Sequence, residues 1–232
     1  MSTIALIGAD GSGKTTIARM LLESPPVKMK YLYMGLNTES SNYALPTSRL
    51  IYYLKLLKYK KKNKDIKDVK LKNLSLHELD DDRSVDKRGK LGAFVRLLNR
   101  IAEAWYKQLI SWIFQLRGYV VLYDRHYIFD ASTNKTGEEL KNQRLTTKIH
   151  QWLIKNMYSK PDLSILLHAP AEVLYNRKGE ADIEYLRAKT QSFMKVGENL
   201  KNFVIVDATQ PVEEVFKQVF SATKEFINNK KK

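Results

Sequence analysis

The chain contains no cysteine. Disulfides, a thiol nucleophile and cysteine-type zinc sites are therefore excluded. No apolar run reaches the length of a membrane-spanning helix. The first residues, Met1 to Ile7, are apolar but lack a basic flank and a cleavage site. They read as a first strand and not as a signal peptide. No internal repeat is visible. These absences fit a cytoplasmic protein, and that location is the expectation taken forward.

The 232 residues suffice for one α/β domain with a substantial core and are tight for two. A hydrophobic share of 44% is too high for a disordered chain. The net charge is +15, a balance that points to an anionic partner. It is unevenly spread. Residues 49–73 hold ten Lys/Arg against two Asp, a net +8 and more than half of the total.

Periodicity gives the organisation. Residues 3–7 form a short apolar run before Gly8, as a buried parallel strand does. A helix follows over 15–22, stopped by Ser24-Pro25-Pro26, then a second strand over 30–35. Residues 36–90 read as an excursion, with a helix over 49–59 and a charged tract over 60–72. A long helix covers 92–116 and closes at Arg117-Gly118. Strands are expected at 119–123, 162–168 and 203–206. Helices are expected at 143–158, 170–177, 183–200 and 212–227. Strands alternating with helices predict a three-layer α/β fold. It would be a single unit over 1–232, with a five-stranded parallel sheet, helices on both faces, and a helical, basic insertion at about 38–90.

The chemistry starts at Gly8-Ala9-Asp10-Gly11-Ser12-Gly13-Lys14-Thr15, which fits G-x-x-x-x-G-K-[ST] without a mismatch. The pattern needs a backbone that curls its N–H groups inward onto phosphate oxygens, and glycine permits the dihedrals. The loop opens onto a helix N-terminus, whose partial positive charge favours an anion. Lys14 would neutralise the β- and γ-phosphates of a nucleoside triphosphate, and the Thr15 hydroxyl would ligate Mg²⁺. A GTPase would need a second signature. Asn134-Lys135-Thr136-Gly137 lacks the required aspartate and follows no apolar strand, so it reads as a turn.

The string Gly8 to Thr16 resembles the thymidylate kinase family, and later segments resemble it in the same order. These are Leu97-Leu98-Asn99-Arg100, Asp124-Arg125, Pro161 to Leu167, Arg177-Lys178-Gly179-Glu180-Ala181-Asp182 and Val206-Asp207-Ala208-Thr209. The resemblance spans nearly the whole chain except about 38–90. It implies a P-loop kinase that uses ATP and Mg²⁺ on a small phosphate acceptor such as dTMP. Asp10 would contact the acceptor's sugar hydroxyl, and Arg100 and Arg125 would hold the acceptor; Arg96 and Tyr127, where this chain departs from the family, are further candidates for the acceptor pocket. Asp124 would help hold Mg²⁺ through water. Arg177 and Lys178, in a lid over about 176–184, would neutralise the transferring group, with Arg187 in reserve.

The pattern is broken on the acceptor side. Met34-Gly35-Leu36-Asn37 lacks the arginine the family uses there. Arg96 stands where a base-stacking phenylalanine is expected. His126-Tyr127-Ile128-Phe129-Asp130 replaces a tyrosine-led sequence, and Tyr127 and Phe129 serve either an acceptor or the core. A sugar, nucleoside, or lipid-linked or glycan acceptor therefore stays open, as does an ATP-binding regulatory module with little turnover. Residues 49–73 could lie on an anionic membrane surface or cover the pocket. The family's habit of pairing through long helices makes a homodimer through 92–116 a further expectation. No nucleic-acid-binding module is recognisable, which argues against that partner.

Overall fold

The computed structural model describes residues 2–35, 41–62, 90–130, 145–179 and 181–231. Five strands form one parallel sheet: β1 (Thr3–Ile7), β2 (Met29–Tyr33), β3 (Val120–Asp124), β4 (Leu163–His168) and β5 (Phe203–Asp207), in the order β2-β3-β1-β4-β5. The helices are α1 (Lys14–Glu23), α2 (Pro46–Lys62), α3 (Lys90–Leu116), α4 (Tyr127–Asp130), α5 (Leu145–Met157), α6 (Ala171–Lys178), α7 (Ile183–Gly197) and α8 (Val212–Lys231). The α/β class and the five-stranded parallel sheet expected above are both present.

β1 is central because every one of its side chains is buried. Its alternate residues serve two cores. Ile4 and Leu6 join Ile17, Leu21, Val215 and Val219 of α1 and α8 on one face. Ala5 and Ile7 join Ala104 of α3, Tyr123, Tyr127 and Phe193 on the other. Burying each large aliphatic side chain contributes about 2 kcal/mol, so a polar residue at Ile4 or Leu6 would cost one layer and one at Ile7 the other. The register pairs Leu6 with Asp124 and Ile7 with Leu166. The C-terminal ends of β1, β3 and β4 thus open together, and ligand crevices form at such ends.

Two boundaries differ from expectation for identifiable reasons. Strand β3 starts at Val120 and not at Tyr119. Gly118 takes a left-handed φ of 79°. Its N–H bonds to the Gln115 carbonyl at 3.0 Å, while the Tyr119 N–H bonds to the Phe114 carbonyl at 3.0 Å. That is a Schellman closure of α3, and it consumes Tyr119. Helix α7 ends at Gly197 and not near 200: the N–H groups of Asn199 and Leu200 bond three residues back, to the Val196 and Gly197 carbonyls at 3.2 and 2.9 Å.

The short helix α4 was not expected. It follows directly on His126, whose carbonyl accepts the Phe129 N–H at 3.0 Å. Asn134 to Gly137, residues 63–89 of the insertion, and Glu180 in the lid lie outside the described residues. Among the described residues no helix is long and apolar enough to cross a membrane.

Candidate functional site

The loop from Gly8 to Gly13 turns tightly between β1 and α1. The Ser12 N–H bonds to the Ala9 carbonyl at 3.2 Å. Gly11 and Gly13 have φ of 87° and 84°, in the left-handed region that glycine enters without strain. A Cβ on Gly8 would collide with the Ser12 Oγ, and one on Gly11 would come within 2.8 Å of the Leu174 carbonyl oxygen. Gly8 is therefore required by space, Gly13 by its dihedral and Gly11 by both. No side chain caps α1, and its first turn holds no acid. The N–H groups and positive dipole end of α1 are left for an anion.

Lys14 folds back across this loop. Its Nζ donates to the Ala9 carbonyl at 2.7 Å and lies 3.4 Å from the Ser12 Oγ. Burial, reinforced by the charge of Arg125, lowers its pKa to about 8 against the opposing pull of Asp10 and Asp124. Thr15 and Thr16 are exposed beside it.

Asp10 is the meeting point of the site. The Arg125 Nη2 donates to Asp10 Oδ1 at 2.9 Å, and the Lys189 Nζ donates to Asp10 Oδ2 at 3.0 Å. Burial would raise the Asp10 pKa. The charges of Lys189, Arg125 and Lys14 outweigh it and hold the carboxyl well below the usual range. Arg125 reaches Asp10 from an unusual backbone. It is the one non-glycine residue among those described with a positive φ, 65°. That conformation costs about 1–2 kcal/mol, and such strain clusters at functional sites. The Arg125 N–H bonds to the Leu6 carbonyl at 3.2 Å, anchoring the turn to β1.

Asp124 is buried at the end of β3, and its Oδ2 accepts a hydrogen bond from the Tyr31 hydroxyl at 2.8 Å. Burial and this carboxylate push the Tyr31 pKa far above its ordinary value. The Thr15 hydroxyl and the Asp124 carboxylate are the hard oxygen donors Mg²⁺ takes. Among the described residues there is no cluster of three metal-ligating side chains. The donor set fits an ion carried largely by nucleotide phosphates and water.

The remaining expected residues are distributed as follows. The Arg177 Nη1 donates to the Ala208 carbonyl at 2.8 Å, which holds this lid arginine against the loop after β5. Lys178 ends α6 beside Gly179, whose φ of 64° caps that helix. The reserve residue Arg187 pairs with Glu172 at 2.6 Å on the surface. Arg100 is exposed on α3, and after burial its charge is the second cause lowering the His150 pKa to about 4. Arg96 lies on the same helix, but its side chain is outside the described residues. Tyr127 is 2% exposed and packs against Tyr158 and His126, and Phe129 packs against Phe193. Both rings serve the core in this structure, not an open stacking surface, and His126 is buried with them.

No family model matches the chain. Nearly its whole length is, however, similar to a probable thymidylate kinase of Archaeoglobus fulgidus. The two are 25% identical over 245 residues, covering 98% of this chain and 97% of the relative. The likeness supports a thymidylate kinase-like P-loop kinase, at the level of the family. For such a kinase the loop, Lys14, Asp10 and Arg125 form a coherent group. Lys189 and Tyr31 are the members that sequence reasoning missed. Lys189 had left a trace, since it shares the helical stripe Leu186, Lys189, Thr190, Phe193, where a lysine on a buried face is anomalous.

Proposed function

We propose that this chain is a Mg²⁺- and ATP-dependent phosphotransferase that moves the γ-phosphoryl group onto a nucleoside monophosphate such as dTMP. The observation that carries the reading is the contact of Arg125 with Asp10 at the rim of the glycine loop. It sets an anion-binding fork and a hydrogen-bond acceptor side by side next to Lys14. Arg125 presents a planar set of donors suited to phosphate oxygens. Asp10 would accept from an acceptor hydroxyl. Lys14 would leave the Ala9 carbonyl for the phosphates, and Thr15 and Asp124 would hold magnesium, which shields phosphate charge when bound. No strong general base is needed, because phosphoryl transfer depends mainly on positioning and electrostatics.

A second acceptor class is favoured by one observation. The loop after β2 offers no arginine. The nearby cation Lys107 is buried, donating to the Gly35 carbonyl at 3.0 Å and lying 3.5 Å from Glu103. An acceptor of different shape, such as a phosphorylated sugar or a lipid-linked headgroup, would suit that altered wall.

The test is coupled ADP release over a panel of nucleotides, nucleosides and phosphosugars. Acceptor-dependent ADP with dTMP supports the first reading, and turnover with another acceptor alone supports the second. Tight ATP binding without acceptor-stimulated turnover would make the chain a nucleotide-binding module instead. Lys14→Ala is expected to abolish turnover; a wild-type rate would remove Lys14 from its role.

A further inference from the structure

Transition-state charge in phosphoryl transfer must be met by cations close to the moving group. The lid arginine expected to supply one is engaged elsewhere, Arg177 by the Ala208 carbonyl, as is Arg187 by Glu172. Lys189 is different. It lies on α7, the helix that begins just past the lid, yet its ammonium enters the cradle and contacts Asp10 at 3.0 Å. Its side chain is only 7% exposed. The Tyr185 ring, one turn earlier, lies 5.3 Å from the ammonium.

The position is firmly built. Leu186 packs into one core and Phe193 into the other, so Lys189 is held between two anchors on the same stripe. Phe193 meets the edge of Phe129 at 5.8 Å, which ties α7 to the turn carrying Arg125. Burying an ammonium is costly unless it is paired. Asp10 already has Arg125 at 2.9 Å and does not need a second cation for neutrality. Of the described groups that act on one another here, Lys14, Arg125 and Lys189 stand against Asp10 and Asp124, one more positive charge than negative. An enclosed surplus of this kind draws in an anion.

We propose that Lys189 is a catalytic residue: its ammonium leaves Asp10 and binds the phosphoryl group during transfer. The inference rests on the kinase reading above. The bond from the γ-phosphorus to the bridging oxygen breaks with its electron pair on ADP. An acceptor phosphate oxygen forms the new bond, and Lys189 keeps its three protons throughout. The bland alternative makes Lys189 a counter-ion for Asp10 and nothing more.

The two are separated by a double-mutant cycle on the full chain, using Lys189→Met, Lys189→Arg, Asp10→Asn and the Asp10→Asn/Lys189→Met pair. The readouts are kcat in the ADP-release assay, binding of a fluorescent ATP analogue, and thermal denaturation. Lys189→Met is expected to lower kcat roughly 10²-fold or more, as loss of one charge-stabilising donor does. The ATP analogue should bind within a few-fold of wild type, and Lys189→Arg should recover part of the rate. The same loss of kcat should persist when Met replaces Lys189 in the Asp10→Asn background. If that second loss vanishes, Lys189 serves only Asp10 and the inference is overturned. The double variant carries neither charge of the pair, so this arm survives if Lys189→Met alone fails to fold. Wild-type turnover with an unimpaired Lys189→Met enzyme overturns the inference alone. Absence of acceptor-dependent ADP from the wild type overturns the kinase reading and the inference with it.

Discussion

Raising the pH should weaken ATP binding, through one lysine. Lys14 titrates at about 8 in the free protein, because burial and the Arg125 charge disfavour its ammonium. Phosphate oxygens in contact with that ammonium would return it toward its ordinary 10.5. The free state then has the lower pKa and the bound state the higher one. Affinity is full below pH 8 and is lost as pH climbs toward the bound value. The loss approaches tenfold per pH unit, on the order of 30-fold by pH 9.5, equivalent to about 2 kcal/mol. Binding at pH 9 should take up about 0.9 proton, against about 0.1 at pH 7. Isothermal titration of Mg·ATP in two buffers of different ionisation enthalpy measures both quantities. Lys14→Met should bind more weakly and lack this pH dependence. Constant affinity from pH 7 to 9.5 with no proton uptake would refute the link between Lys14 burial and nucleotide binding.

Three other outcomes are expected. Gly11→Ala should cost at least 1–2 kcal/mol, roughly, from its left-handed backbone plus the contact with the Leu174 carbonyl. Gly13→Ala meets no atom within 4 Å and should cost only the dihedral strain, so thermal melts with and without Mg·ATP should rank Gly11→Ala as the worse. Below neutrality the fold should weaken through His126, whose pKa burial lowers to about 4 against the smaller opposing influence of the Ser159 main chain. The unfolded chain takes up the proton first, so stability falls from about pH 6.5 down to 4, by roughly 3 kcal/mol. His126→Phe should flatten that loss in urea melts, leaving the share of His150; an unchanged slope would acquit His126. Finally, α2 leaves Leu50, Tyr53, Leu54 and Leu57 exposed beside its lysines. Flotation with anionic vesicles decides whether this face meets a membrane or covers the pocket: salt-sensitive binding lost on removal of residues 49–73 makes it the anchor, and binding unchanged by that removal rejects it.

Most of the fold could be read from the chain because its signals are local. β1 is an unbroken apolar run, the glycines of the cradle keep their spacing, and Gly118 ends α3 by a dihedral few other residues accept. The boundaries that moved did so through helix-end closures, whose hydrogen bonds an apolar pattern does not carry. The i−3 bonds of Asn199 and Leu200 end α7 at Gly197, and the closure of α3 takes Tyr119 from the strand. The site was legible in the same uneven way. Gly8 to Thr16 are consecutive, so their geometry follows from their order. The pairing of Asp10 with Lys189 joins residues 179 positions apart, and only the packing of α7 on two cores brings them together. Arg125 was named through the Asp124-Arg125 resemblance, but its left-handed backbone, anchored to the Leu6 carbonyl, is seen only in the structure. Tyr127 and Phe129 carried the pattern of a stacking pair and proved to be core, because aromatic residues next to a site satisfy both descriptions until burial is known.

The most direct measurement is an amide nitrogen–proton correlation spectrum of the wild-type chain titrated with Mg·ATP. The account predicts that the largest shifts fall on the main-chain N–H groups of residues 9–16, and that they vanish in Lys14→Ala at the same nucleotide concentration. Amides of that segment left unmoved at saturating Mg·ATP would contradict it.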